Sequence, residues 1–318
     1  MISSNRKYIR LRSNIAVQNL AMLHKSFDGV EDEECQLALM LNDSFAVAIF
    51  GGDYAGAIEI SLAALENFHE SNLHYLMAEH ESLLGRCYTY ITQYATAREH
   101  LLRAEALAFH RMPDTDEARG LRADILHNLA MNNHHADTGD DLTVAYLERA
   151  LGILEGTDFS NRKGICLMGI GNVRMTQGRQ EEALSYQMRA MELFEDAETF
   201  TNLSTVYSNI GTCYTHLGQF ESAEVYIMRG LDMRTRMGSY WEIANSYYSL
   251  ASLYVKKGET DIAYENLLIS RDYAMVSQAR GIQRMILEEL ESMAISRGDL
   301  TAAEEHRSQL MEVGAIAA

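Results

Sequence analysis

Small residues recur along this chain at intervals that suit stacked helix pairs. The segments FGGDYAGA (50–57), QGRQEEA (177–183), LGQFESA (217–223), KGETDIA (257–263) and RGDLTAA (297–303) share one pattern. Each has a Gly-centred turn, then a helix start with a small residue five positions after the glycine. TQYATA (92–97) lacks the glycine, and TGDDLT (138–143) has Thr143 where the others have alanine. The small residues fall at Ala57, Ala97, Thr143, Ala183, Ala223, Ala263 and Ala303, with successive gaps of 40, 46, 40, 40, 40 and 40. A fixed period of this length predicts an array of repeated helix pairs.

Two further sets keep the same register. Gly85, Gly171, Gly211 and Ala251 lie twelve residues before the turn alanine, and Ala130 takes that place one residue further out. Ala64, Ala104, Ala150, Ala190, Gly230 and Ser270 lie seven residues after it. Small side chains at such positions let neighbouring helices approach closely. Leu84, Leu129, Ile170, Ile210 and Leu250, with Tyr88, Tyr214 and Tyr254, flank them at helical spacing and are the predicted core.

Composition sharpens this picture. Pro113 is the single proline in 318 residues, so almost nothing interrupts helix. The hydrophobic share of 47% and charged share of 23% are those of a folded chain. The net charge of −18 repels phosphate backbones and anionic lipid heads, which argues against nucleic acid and membrane as partners. No stretch reaches the length of apolar residues that spans a bilayer, and the first residues lack the apolar core of a secretory signal. Cys35, Cys87, Cys166 and Cys213 stand far apart with no C-x-x-C pair, as buried thiols in a reducing compartment do. A cytoplasmic location is expected.

The repeated small residues resemble the signature of the tetratricopeptide repeat, here with a 40-residue unit. The resemblance covers roughly residues 34 to 314. It implies an all-α, right-handed α-solenoid superhelix of about seven helix pairs, whose first helices line a concave groove. Longer-unit arrays of this kind occur in polarity adaptors, kinesin light chains and bacterial peptide sensors, and the resemblance leaves the choice among them open. The expected organisation is an N-terminal capping helix within 1–33 (Tyr8, Leu11, Ile15, Leu20, Leu23), an array over 34–314 and a C-terminal end at 315–318. Its turns are expected near 52, 92, 139, 178, 218, 258 and 298. Phe45 and Glu291 depart from the small-residue pattern in the first and last repeats. The 46-residue gap holds the loop FHRMPDTDEA (109–118), read as a surface insertion, and an extra residue around His134 to Asp137. The stop at MEVGAIAA, without a polar capping helix, suggests either a homodimer through the C-terminal end or continuation into another domain.

Little in the sequence carries chemistry. No phosphate-binding Gly-rich loop follows a strand, and no nucleophile–base spacing stands out. No enzyme activity and no cofactor are expected. His127, His134 and His135 in HNLAMNNHH could share a helical face beside Asp124, but their spacing is wider than metal ligands usually show, so no metal is assigned. The repeated Tyr-x-Met-Arg of YQMRAMELF and YIMRGLDMR reads as core packing, with Tyr and Met between layers and Arg189 and Arg229 reaching outwards.

The resemblance nominates groove residues at set distances from each small residue. These are Glu79, Ser82, Arg86 and Thr89, then Asp124, His127, Met131 and His134, then Met168, Asn172 and Met175. The next repeats add Thr205, Ser208, Thr212 and His216, then Asn245, Tyr248, Ser252 and Lys256. Many are uncharged hydrogen-bonding groups able to pair with a peptide backbone, and the methionines adapt to apolar side chains. The expected function is a protein–protein interaction scaffold that binds a peptide or helix in the groove. The alternative is a sensory or regulatory module whose effector (nucleotide cyclase, kinase or transcription regulator) lies outside this chain.

Overall fold

The computed structural model describes residues 33, 36–41, 43–44, 53–67, 72–197, 199–277 and 280–315. The expected N-terminal helix, Phe45, Cys35, the turn glycines near 52 and residues 316–318 lie outside the described residues. Every described element is helical, with no strand among the described residues. The chain divides into two compact units, residues 1–162 and 163–318.

Unit 1 contains α1 (Tyr54–Asn67), α2 (His74–Tyr90), α3 (Tyr94–His110), α4 (Asp116–His135) and α5 (Asp140–Ile153). It ends at Arg162, within α6 (Ser160–Thr176). Unit 2 contains the rest of α6, then α7 (Gln180–Asp196), α8 (Phe200–His216), α9 (Phe220–Met237), α10 (Tyr240–Lys257), α11 (Thr260–Val276), α12 (Arg280–Ser296) and α13 (Leu300–Ala315). The even-numbered helices α2 to α12 are the first helices of successive pairs, and the odd-numbered helices that follow are their partners. These are the helix pairs of a tetratricopeptide-like solenoid.

The periodic small residues are what the packing is built on. Ala57, Ala97, Thr143, Ala183, Ala223, Ala263 and Ala303 are all buried, as are Ala64, Ala104, Ala150, Ala190, Gly230 and Ser270. At Gly211 the absence of a side chain is required, because a Cβ would lie 3.0 Å from the Ala223 carbonyl oxygen of the paired helix. Leu84, Leu129, Ile170, Ile210 and Leu250 fill the space between layers. Burying each of these side chains is worth about 1.5–3 kcal/mol.

The turns within pairs close by one mechanism. The amide of the residue just before each second helix donates to the carbonyl five residues earlier, as from Gln219 to Tyr214 O (2.9 Å), Glu259 to Tyr254 O (2.8 Å) and Asp299 to Ala294 O (3.0 Å). That geometry puts the intervening residue in the left-handed region, where Gly218, Gly258 and Gly298 sit at φ 73°, 84° and 75°. In the repeat without the glycine, Thr92 adopts φ 62° and Gln93 still donates to Tyr88 O at 2.8 Å. Thr92 therefore carries a side chain where the turn disfavours one.

The insertion is narrower than its sequence suggested. Helix α3 runs to His110 and α4 begins at Asp116, capped by Thr115, whose Oγ1 accepts from the Ala118 amide at 3.3 Å. Arg122 secures the loop from beneath. Its Nε donates to Ala108 O (3.0 Å), Nη1 to Asp114 Oδ1 (2.9 Å) and Nη2 to Met112 O (3.0 Å). Hydrogen bonds from Arg119 and then Arg122 hold the Asp114 carboxyl down to about 2. The extra residue after α4 is absorbed by Asp137 (φ 52°) and Gly139 (φ 122°).

The Tyr-x-Met-Arg segments differ from expectation. Met228 is 48% exposed and Met188 only half-buried, while the residues between Tyr and Met, Gln187 and Ile227, are the fully buried ones. Arg189 and Arg229 stack over Tyr186 and Tyr226 at 5.6 and 5.4 Å. The helical period sets this: the turn alanines 183 and 223 point inwards, and four residues on that face is occupied by 187 and 227, not 188 and 228.

Candidate functional site

The stripe of first-helix positions nominated above, part buried and part exposed, is the candidate interaction surface, and the two units build it differently. In unit 1 the stripe positions are Glu79, Ser82 and Arg86 on α2, and Asp124, His127 and Met131 on α4. Glu79 and Ser82 are buried and the other four half-buried. Asp124 receives a two-pronged hydrogen bond from Arg162 (2.8 and 3.0 Å), whose guanidinium lies over the Phe159 ring at 4.8 Å. Asn128 Nδ2 donates to Ser82 Oγ at 3.0 Å, and Thr89 Oγ1 to Asn132 Oδ1 at 3.0 Å. Burial pulls the pKa of His127 below the ordinary imidazole value. His134 lies 4.0 Å from Asp140, with its ring centroid 5.9 Å from that of His135. Among the described residues no group of three His, Cys, Asp or Glu side chains could hold a metal ion.

In unit 2 the same register reads Ile165, Met168 and Asn172 on α6; Thr205, Ser208 and Thr212 on α8; Asn245, Tyr248 and Ser252 on α10; and Met285, Glu288 and Ser292 on α12. Spacings of three and four residues place each trio on one helix face. Only Glu288 of the twelve is charged, in a chain of net charge −18. Trp241, one turn before Asn245, is 53% exposed. Met175 is half-buried, and His216 and Lys256 lie exposed near the helix C-termini.

Several nominated side chains turn out to join neighbouring first helices. Asn172 Oδ1 accepts from Gln187 Nε2 (2.8 Å) and from Asn209 Nδ2 (2.9 Å), forming a cluster of three amides, while Gln187 Nε2 also reaches Met168 O at 3.2 Å. Tyr248 OH donates to Glu289 Oε2 at 3.4 Å. Others bond only along their own helix: Thr205 to Thr201 O (3.2 Å), Thr212 to Ser208 O (3.0 Å) and Asn245 Nδ2 to Trp241 O (2.9 Å). The Asn245 amide oxygen and the hydroxyl lone pairs of Thr205 and Thr212 still have acceptor capacity.

The residues missed from sequence share a register. Asn128, Asn209 and Glu289 each lie two positions before the repeat's small-residue site, and each bonds a side chain of the preceding first helix. That recurrence was the available signal. The buried thiols offer no nucleophile: burial pushes Cys87 up to about 11 and Cys213 up to about 12. Among the described residues no helix is long and apolar enough to cross a membrane.

A tetratricopeptide-repeat model matches residues 204–235, which span most of α8, the turn and most of α9. No curated protein matches the sequence. Solved structures that share the fold include the following three. A Rap protein complexed with competence and sporulation factor superposes with TM-score 0.68 at 14% identity, covering 93% of this chain and 79% of that one. The apo form of the quorum sensor NprR from B. thuringiensis gives 0.60 at 15% identity, covering 93% and 92%. A signal-transduction ATPase with numerous domains and a tetratricopeptide-repeat sensor, from Pyrococcus horikoshii, gives 0.70 at 13% identity, covering 96% of this chain and 46% of that one. The likeness establishes a tetratricopeptide-like solenoid; the site rests on this chain's own residues.

Proposed function

We propose that this protein is an interaction scaffold that holds a peptide or helical segment of a partner protein along the first-helix stripe of unit 2. The observation that carries this reading is the stripe's near-complete lack of charge in a strongly acidic chain. A surface built only for solubility would carry the carboxylates found elsewhere on the molecule. Threonine, serine and asparagine there can hydrogen-bond a peptide backbone of any sequence, while Met168, Tyr248, Met285 and the exposed Trp241 take up apolar side chains. Solved relatives in fold that are named as a quorum sensor and as a complex with competence and sporulation factor support a ligand-holding role.

The second reading is a sensory module of a larger signalling protein. It is favoured by the likeness to a sensor-bearing ATPase of which this chain matches only 46%. No reaction is assigned, and the acidic surface disfavours nucleic acid and anionic membranes as partners. A cytoplasmic location follows from the thiol usage as a proposal. Self-association through the last helix pair is favoured by exposed Ile295, Leu300 and Met311.

The test is affinity capture from a lysate of the source organism, with wild type beside a Thr205→Glu, Asn245→Glu variant of equal helicity and melting temperature. A partner held by wild type and released by the variant supports the reading. A partner held equally by both places binding elsewhere and contradicts it.

A further inference from the structure

Beneath the nearly uncharged stripe of unit 2 lies one buried cation. Arg234, on the last turn of α9, is 5% exposed. Its Nη1 donates to Ser208 Oγ (2.8 Å), Ser246 Oγ (2.7 Å) and Glu242 O (3.4 Å), all neutral acceptors. Its Nε is enclosed and has no hydrogen-bond partner. No carboxylate among the described residues lies within ion-pair distance of it. Glu242 is the one anion near enough for its charge to be felt, and it offers the guanidinium only its backbone carbonyl.

The register shows how unusual this is. One repeat away on either side the same position holds Phe194 and Ala274, and earlier repeats hold Leu154 and Ala108, all fully buried. Gly230, one turn before Arg234, brings α9 close to α8, since a Cβ there would meet Ser204 O at 2.9 Å and Ser208 Oγ at 3.1 Å. A charge taken out of water without a counterion costs several kcal/mol, and an apolar side chain at this place fits the fold. A feature so unfavourable for stability calls for a role in binding.

We propose that Arg234 is the anion receptor of the unit 2 stripe and takes a carboxylate of the bound segment, either its C-terminal group or an Asp or Glu side chain. The proposal rests on the reading that a peptide lies on this stripe. Ser208 belongs to the stripe, is buried and bonds Nη1, so a ligand seated between Thr205 and Asn245 lies over the hydroxyl that touches the guanidinium and reaches the charge by displacing it. One guanidinium with no second cation beside it matches a monoanion better than a phosphate dianion. A carboxylate there would gain the charge-assisted hydrogen bonds that two hydroxyls cannot supply.

The experiment has two arms. In the first, the melting temperatures of wild type, Arg234→Met and Glu242→Gln are followed as acetate, then inorganic phosphate, replaces chloride at constant ionic strength. Acetate raises the wild-type value, raises that of Glu242→Gln more, and leaves Arg234→Met unmoved. No shift in wild type, or an equal shift in Arg234→Met, overturns the proposal, and so does a response to phosphate alone. A loss of stability in Arg234→Met with no change in the acetate response would mark the arginine as structural and also overturn it. In the second arm, random heptapeptide libraries with free and amidated C-termini are scored by native mass spectrometry. Wild type retains the free acids roughly ten-fold or more better than Arg234→Met does. Preference for free over amidated termini in wild type identifies the terminal carboxylate. Equal retention with enrichment of Asp and Glu identifies the side chain. Acetate stabilisation without peptide retention would sink the peptide reading while leaving the anion site standing.

Discussion

The two units place the same register of first-helix positions on their stripes and fill it with opposite chemistry. Unit 1 carries Glu79, Arg86, Asp124 and His127 there, tied further by Arg162. Unit 2 carries one charge in twelve positions. Their buried arginines differ in the same sense. Arg122 is held by Asp114, the helix carbonyl of Ala108 and the loop carbonyl of Met112 and fastens the insertion, whereas Arg234 has only neutral acceptors and an unpartnered Nε. A repeat array keeps its fold through the small-residue register, which leaves the stripe free to diverge. In unit 1 the polar groups are spent on internal joins; in unit 2 part of that capacity is left over.

The largest effect that would break this comparison is on binding. Thr205→Glu with Asn245→Glu should lower partner retention by a hundred-fold or so, given about 1.5 kcal/mol for each lost neutral contact plus the burial of new charge. Arg86→Gln in unit 1 should change it less than two-fold, as read by quantitative affinity capture.

The next effect is acid lability of unit 1. His80 is fully buried, with Nε2 3.2 Å from Leu37 O and Nδ1 3.2 Å from Ser61 Oγ, and burial pulls it down to about 4. The unfolded chain takes up this proton near pH 6.5, the folded one only near 4. Stability from this group is therefore full above pH 6.5 and is lost as pH falls through that window, by about 3 kcal/mol. Hydrogen exchange at pH 4.5 should show α1 and α2 opening before α8 to α11, and His80→Leu should remove most of the pH slope. Equal opening of both regions would contradict the assignment.

Smaller effects sharpen the picture within each unit. Asn209→Ala removes one donor from the three-amide cluster and should cost roughly 1–2 kcal/mol in urea unfolding. Thr92→Gly relieves the left-handed threonine and should stabilise by about 0.5 kcal/mol, because glycine's greater freedom in the unfolded chain offsets part of the gain.

The fold was legible because it depends on spacing. The 40-residue period located Ala57 through Ala303, and each of those side chains is buried where the register required. The turn geometry was equally readable, down to the one copy, at Thr92, that lacks its glycine. The site was legible only as a face. Sequence marked Asn172 and Ser208 as groove residues but could not see that Gln187 and Asn209 reach Asn172, or that Arg234 reaches Ser208. Those contacts depend on where long side chains from a second helix end, which periodicity does not encode. Met228 shows the same limit: a one-residue offset from Ile227 moves it from core to solvent.

The most direct measurement is site-specific photocrosslinking. A benzoylphenylalanine is placed at position 205 in unit 2 or at position 86 in unit 1, and each protein is irradiated in lysate of the source organism. The account predicts one crosslinked partner from position 205 and none from position 86, with the adduct mapping to an extended or helical segment of that partner. Crosslinks from position 86 alone, or equally from both, would contradict the claim that the nearly uncharged stripe of unit 2 is the binding surface.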